Sequence, residues 1–238
     1  MTFAALDQDL QLMTMARDDL NGIMAYINGQ RAAYVAVNAP RQPNQGLMDQ
    51  EEFRRELNPQ PAPGRWTSFR VAEYQLFRRN IRIPMTCAES EECPNWMKTG
   101  FKFFQRLQDL GFEPYPTPDA KQQSLEVYPH AAYTVLLDRI PFKKDTLEGR
   151  LQRQLILHSR AVDVPDPMRV FEEITRYRIL QGILPLDRLY SVEELEALIA
   201  AYTAWYASSK SEEEITLVGD RQEGQIVLPS GELHRKYS

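Results

Sequence analysis

The stretch LEVYPHAAYTVLL, residues 125–137, decides how the rest of the chain is interpreted. Leu125 and Val127 are typical of a short buried strand, and Pro129 favours the first turn of a helix that continues to Leu137. Glu126 lies inside the apolar strand, where an ionised carboxylate is costly unless a cation pairs with it. We therefore expect that Glu126 holds, or once held, a metal ion.

Length and composition favour a single α/β domain over residues 1–238. Residues 41–66 are rich in Pro, Gln and Asn, and we expect them to form an excursion outside the core. Hydrophobic residues make up 43% of the chain and charged residues 26%, so disorder is not indicated.

Three further features bear on cellular location, nucleic-acid binding and the state of the cysteines. No segment reaches the roughly 18 apolar residues of a membrane span, and MTFAALDQDL lacks the pattern of a secretion signal, so we expect a cytoplasmic protein without membrane association. The net charge of −5 argues against coating nucleic acid by bulk electrostatics. The spacing of Cys87 and Cys93 matches neither a zinc signature nor a disulfide framework, which favours free thiols.

Hydrophobic periodicity predicts the order of elements. A hairpin is expected in TFAALD and LQLMTMAR, a helix over 18–28 closed by Gly29, and a strand in AAYVAVNAP, residues 32–40, covered on both faces. Further helices are predicted over 48–57, 69–80, 95–111, about 145–158, about 169–181 and 191–209, and a second hairpin in ITLVGDRQEGQIVLP, residues 215–229.

The helix over 191–209 has two unlike faces. It begins with a capping box, Ser191 and Glu194, and one face is apolar. The opposite face presents Glu193 and Glu196, followed by small residues that allow another backbone to approach closely. Two carboxylates are therefore expected where packing is tight.

Six blocks of sequence, in a fixed order, carry a family resemblance over almost the whole chain. They are VAVNAPRQPNQG (35–46), RVAEYQLFRRNIRIP (70–84), EVYPHAAYTVLL (126–137), KKDTLEGRLQRQLIL (143–157), EELEALIAAYTAWYA (193–207) and GDRQEGQIVLP (219–229). With them the chain resembles the predicted nucleases of ribonuclease-H-like fold classed as domain of unknown function family 429. The resemblance implies a mixed sheet flanked by helices, with helical insertions.

The resemblance also implies a chemistry. Acidic side chains would hold Mg²⁺ or Mn²⁺, which would orient water against a nucleic acid or another phosphate substrate. The implied metal ligands are Glu126 and Glu196, the wider catalytic set is Glu126, Glu196, Glu193 and Asn38, and the implied phosphate-binding residues are Lys144, Arg150 and Arg153. The sequence does not specify the substrate or the oligomeric state.

Two departures from the family pattern predict either a weakened or lost metal site, or a chain that lacks its native N-terminal strand. The family has an opening strand with Gly-Ile-Asp, whose aspartate is a central ligand, and this chain begins at what resembles the second strand. Where the family usually has Asp-Ala-Pro, this chain has Asn38, Ala39 and Pro40. An amide oxygen adds no negative charge, so we expect a lower affinity for a divalent cation.

Each candidate residue also has a structural interpretation. Glu126 would pair with an arginine such as Arg150 or Arg153, and Glu193 would be a first-turn acid favoured by the helix dipole. Asn38 would shape a turn, Lys144 would lie on an exposed face, and His130 would be structural. The matching alternative for function is a non-catalytic module that binds nucleic acid or protein.

Overall fold

The fold is described by a computed structural model that covers residues 1–238, the whole chain. The strands are β1 (Thr2–Leu6), β2 (Leu12–Arg17), β3 (Ala33–Val37), β4 (Glu113–Pro114), β5 (Gln122–Glu126), β6 (Thr216–Asp220) and β7 (Gly224–Leu228). The helices are α1 (Leu20–Asn28), α2 (Glu51–Glu56), α3 (Val71–Arg78), α4 (Asn95–Asp109), α5 (Pro129–Leu137), α6 (Leu147–Ser159), α7 (Arg169–Glu173), α8 (Arg176–Leu180) and α9 (Val192–Ser209). No helix combines the length and apolar character needed to span a bilayer.

The main sheet has the strand order β3-β5-β7-β6, with β4 pairing additionally with β5. Strands β3, β4 and β7 run parallel to β5, and β6 is an antiparallel edge strand. Strands β1 and β2 form a separate two-stranded antiparallel sheet. The expected mixed sheet flanked by helices is therefore confirmed.

Helix α9 covers one face of the main sheet. Its small residues, Ala200, Ala204 and Ala207, pack with Leu125 and Val127 of the central segment. The opposite face is covered near β3 by α1 and α4 and near β7 by α3 and α5. The stripe of small residues thus lies against the sheet, as the sequence predicts.

Most predicted elements are confirmed, including both hairpins, the strand that leads through Pro129 into α5, and the capping box of α9. In that box the Glu194 N–H donates to Ser191 Oγ at 3.2 Å, and the Ser191 N–H donates to Glu194 Oε2 at 2.7 Å. Cys87 and Cys93 are free thiols, also as expected.

The predicted helix over about 169–181 is wrong as one helix, because the structure divides it into α7 and α8. Ile174 is extended between them, and the Thr175 hydroxyl accepts the Arg178 N–H at 3.2 Å. Threonine competes well for an N-cap position, so it starts a second helix where periodicity alone suggests continuation.

Gly100 lets α4 approach the chain that leaves β3. A Cβ on Gly100 would lie 2.3 Å from the Cβ of Ala39, which follows Asn38. This close approach fixes the position of the backbone next to Asn38.

We expect Gly100→Ala to lower the free energy of unfolding by about 2 kcal/mol, because the overlap outweighs the better helix propensity of alanine. The matched variant Gly100→Ala/Ala39→Gly removes the overlapping methyl group and should recover most of the loss. Urea unfolding of both variants measures this, and an unchanged loss in the double variant would show that another contact is responsible.

Candidate functional site

The Glu126 carboxylate is buried, and both of its oxygens accept hydrogen bonds from protein groups. It is 3% exposed, and it forms a bidentate ion pair with Arg70, which is 1% exposed. Arg70 Nη1 donates to Glu126 Oε2 at 3.1 Å, Nη2 donates to Oε1, and the Arg41 backbone N–H donates to Oε2 at 3.0 Å. The cation that the buried strand requires is thus an arginine.

Arg70 links Glu126 to two further segments. Its Nε lies 3.2 Å from Glu73 Oε1, and its Nη1 donates to the Glu223 carbonyl at 3.1 Å. Burial alone would lower the pKa of the Arg70 guanidinium, but the charges and hydrogen bonds of Glu126 and Glu73 outweigh burial and raise that pKa. The guanidinium therefore stays charged.

Gly224 allows this ion pair to form next to β7. It has a φ of +101°, a conformation that suits glycine, and a Cβ there would lie 2.9 Å from Glu126 Oε2. Sequence reasoning missed both Arg70 and Gly224. The available signal was an arginine at the predicted helix start, with Glu73 three residues later.

The suggestion that Arg150 or Arg153 pairs with Glu126 is wrong, because both arginines bind backbone carbonyls instead. Arg150 donates to Tyr190 O at 2.8 Å and Leu189 O at 2.6 Å. Arg153 is 3% exposed and donates through Nη1 to the carbonyls of Phe142 and Gly149, each at 2.9 Å. Their expected phosphate-binding role stays a prediction, and these bonds occupy the guanidinium groups in structural roles.

A second cluster brings together three of the predicted residues. Lys144 Nζ donates to Glu196 Oε1 at 2.6 Å, and Asn38 Nδ2 donates to Glu196 Oε2 at 3.4 Å. Glu196 is 27% exposed and Lys144 is 57% exposed, so solvent reaches the pair. Glu193 lies one turn earlier in α9, exposed at the same cleft. Glu196 and Asn38 therefore meet as expected, and a lysine completes the cluster.

The two acids predicted as metal ligands have different partners. Glu126 is paired with Arg70 inside the protein, whereas Glu196 is paired with Lys144 at the surface. No group of three or more His, Cys, Asp or Glu side chains lies together in a way that would hold a metal ion. The surroundings of Glu126 do not fit a divalent cation, because Arg70 and the Arg41 amide occupy its oxygens.

His130 lies close to the second cluster and is mostly buried. Burial, reinforced by the positive charges of Arg153 and Lys144, lowers the pKa of its imidazole to about 4. The ring is therefore neutral at physiological pH.

We expect Glu126→Gln to lower the free energy of unfolding by about 3 kcal/mol, because the buried Arg70 charge then keeps only Glu73 as an anionic partner. The variant Arg70→Met removes the cationic partner instead. The double variant should lose less free energy of unfolding than the sum of the losses in the two single variants. Urea unfolding of all three measures the coupling. Strictly additive losses would contradict a direct interaction.

The lowered pKa of the His130 imidazole predicts that stability depends on pH. Its folded-state pKa lies below the unfolded value of about 6.5, so the unfolded state binds more protons between pH 6.5 and 4. The free energy of unfolding should therefore decrease as the pH falls through this window, by on the order of 2 kcal/mol from this group. Denaturant unfolding of the protein and of His130→Asn between pH 4 and 7.5 measures it, and equal slopes would refute it.

Comparison with known proteins identifies the family. No curated protein and no solved structure matches the chain. The family model described as "Protein of unknown function (DUF429)" matches residues 17–223, which include both clusters. The chain therefore belongs to the DUF429 family of proteins of unknown function.

Proposed function

We propose that this protein is a non-catalytic, polypeptide-binding module on a ribonuclease-H-like scaffold. The observation that carries the proposal is the internal neutralisation of Glu126 by Arg70. A hydrolase of the expected type needs the central strand carboxylate for its cation, and here that carboxylate is committed to an ion pair. The scaffold assignment is supported by the mixed sheet with helices on both faces and by the family match.

The shape of the surface supports a binding role. A cleft of about 1360 Å³ opens between the hairpin β1–β2 and strand β3, under α9. Of the 45 residues that line it, 26 are hydrophobic, which favours a partner with apolar side chains. A cleft of this size exceeds the range of about 300–1,000 Å³ that is usual for small ligands.

The charges around the cleft favour a polypeptide over a nucleic acid. The acidic side chains on its lining are Asp7, Asp119, Glu193, Glu196 and Glu212, and the lysines are Lys121 and Lys210. A phosphate backbone would be repelled by this excess of carboxylates, and the net charge of −5 adds to the repulsion.

A metal-dependent nuclease or phosphodiesterase, possible only in a weakened form, is the second candidate. The meeting of Glu196 with Asn38, beside Glu193, favours it, because these are oxygen donors at one mouth of the cleft. Mg²⁺ or Mn²⁺ bound there would have to displace Lys144 from Glu196, and no third carboxylate completes the donor set.

The two candidates are distinguished by metal binding and cleavage. We expect calorimetry to detect no Mg²⁺ or Mn²⁺ binding tighter than the millimolar range, and no cleavage of single-stranded, duplex, hybrid or junction nucleic acids. Glu196→Gln is the matched variant, because it removes the surface carboxylate and leaves the buried ion pair intact. Metal-dependent cleavage that is lost in Glu196→Gln would overturn the proposal in favour of the nuclease.

A further inference from the structure

Residues 166–188, which we call the arm, form an excursion of the chain between α6 and α9 and contain α7 and α8. One buried side chain, Gln154 of α6, holds both ends of the arm. Its Nε2 donates to the carbonyl of Pro165, just before the arm, at 2.9 Å and to the carbonyl of Arg188, its last residue, at 3.2 Å. The Gln154 amide therefore keeps the two ends together on the surface of α6.

The arm exposes apolar side chains that proteins usually bury. Of the 16 large hydrophobic side chains that the chain exposes, eight lie in the arm. Leu180 is 74% exposed and Tyr177 is 72% exposed, and helix α8, which carries both, has no buried residue. Single exposed hydrophobic residues are ordinary, whereas a concentration of them marks an interaction surface.

The charged side chains of the arm bind one another and fix its shape. Glu173, at the end of α7, is half-buried, and its carboxylate accepts from Arg178 Nη1 at 3.2 Å and from Arg188 Nε at 2.7 Å. These two ion pairs connect α7, α8 and the turn that closes the arm. A segment that faces only water has the reverse arrangement, with its charges outermost. The apolar side chains are thus held outward on a framework of ion pairs.

Helix α8 lacks the packing that stabilises a short helix. Isolated helices shorter than about 12–15 residues are marginal in water, and most helical stability in proteins comes from burial of an apolar face. Helix α8 has five residues with none buried, and α7 buries only Val170. A partner that covers the arm would supply the burial that one chain does not provide.

The exposed apolar area of the arm matches one side of a protein–protein interface. Its eight large hydrophobic residues are on average about half exposed, which at roughly 200 Å² for each gives on the order of 800 Å². A standard interface buries about 800 Å² on each partner. The largest apolar patch of a typical monomer is smaller, about 300–600 Å². The arm is therefore large enough to form a stable interface without another surface.

The charge of the arm favours a second copy of the chain as its partner. The arm contains four acidic residues and four arginines, so its net charge is zero, whereas the whole chain carries −5. Two copies repel each other over the acidic remainder of their surfaces, and the neutral arm is where they approach with the least repulsion. A lipid surface would instead favour an excess of basic residues, which the arm does not have.

The order of the charges fits a two-fold axis. Helix α7 ends in acidic residues that include Glu172, and α8 begins at Arg176. Both side chains are exposed, and neither takes part in an ion pair within the chain. A two-fold interface makes each contact twice, so Glu172 of each copy can pair with the partner's Arg176.

We propose that the arm is the interface of a symmetric dimer of this chain. The apolar side chains of the two arms pack together, and the pairs between Glu172 and the partner's Arg176 form the polar rim. The proposal goes beyond the function of the cleft and is independent of it, because none of the residues that line the cleft belongs to the arm.

The first test is the mass of the full chain, measured by sedimentation equilibrium. We expect twice the mass of one chain, with dissociation on dilution, and slower amide hydrogen exchange over residues 179–184 in the dimer. A mass of one chain at every concentration up to about 100 µM would overturn the proposal, because interfaces of this area bind in the micromolar range or more tightly. Adsorption of a monomeric chain to neutral lipid vesicles through the arm would also overturn it.

Substitutions locate the interface. Leu180→Glu should weaken the dimer at least 100-fold, because it places a charge in the apolar contact of each copy. Met13→Glu is the matched control, because Met13 is 63% exposed and lies on the hairpin beside the cleft, and it should leave the dimer intact. A dimer that persists in Leu180→Glu, or that is lost in Met13→Glu, would place the interface elsewhere and overturn the proposal. Tyr177→Glu repeats the test if urea unfolding shows that Leu180→Glu does not fold.

Exchange of charges tests the two-fold arrangement. Glu172→Arg and Arg176→Glu each place like charges across the axis and should weaken the dimer about tenfold. The double variant Glu172→Arg/Arg176→Glu restores opposite charges and should dimerise nearly as well as the original chain. A double variant that is weaker than either single variant would overturn the symmetric arrangement.

Discussion

The buried ion pair between Arg70 and Glu126 is the constraint on which the other features of the structure depend. It joins the end of β5 to the start of α3, and through the Glu223 carbonyl and the Arg41 amide it also holds the β6–β7 turn and the segment after β3. Breaking such a pair leaves a charge without a partner in the interior, so the segments that it joins are fixed together. The same pair makes Glu126 a poor metal ligand. Its two carboxylate oxygens already accept hydrogen bonds from the Arg70 guanidinium and the Arg41 amide.

The sequence predicts the elements well where the signal is local. The strand followed by Pro129 and the capping box at Ser191 depend on neighbouring residues, and the structure confirms both. The partner of Glu126 is not a local property. Arg70 lies 56 residues away in the chain, so no periodicity identifies it, and Arg150 was a reasonable but wrong alternative. The division of the helix over 169–181 is also not predicted. The Thr175 side chain caps a new helix at Arg178 N–H, and hydrophobic spacing contains no information about such a cap.

The surface cluster was predicted in part. Glu196 and Asn38 are 158 residues apart and were placed together only through the family resemblance, and the structure brings them within hydrogen-bonding distance. The resemblance implies that Lys144 binds phosphate, yet in the structure Lys144 Nζ donates to Glu196 Oε1 at 2.6 Å. This contact changes the electrostatics of the cluster, because the lysine already supplies the positive charge that a cation would bring. At this exposed position the ion pair adds little to stability, so the cluster is free to exchange partners.

The gap between β1 and β3 follows from how the hairpin is attached. The hairpin contacts the rest of the protein through α9, the apolar layers and hydrogen bonds to Asp163, without a backbone ladder to the main sheet. Side-chain packing therefore holds the hairpin beside the main sheet, and alanines of α9 line the cleft between β1 and β3. Exposed edges are usually blunted by charge, by proline or by a covering element. Here helix α9 covers both strands on one side of the layer.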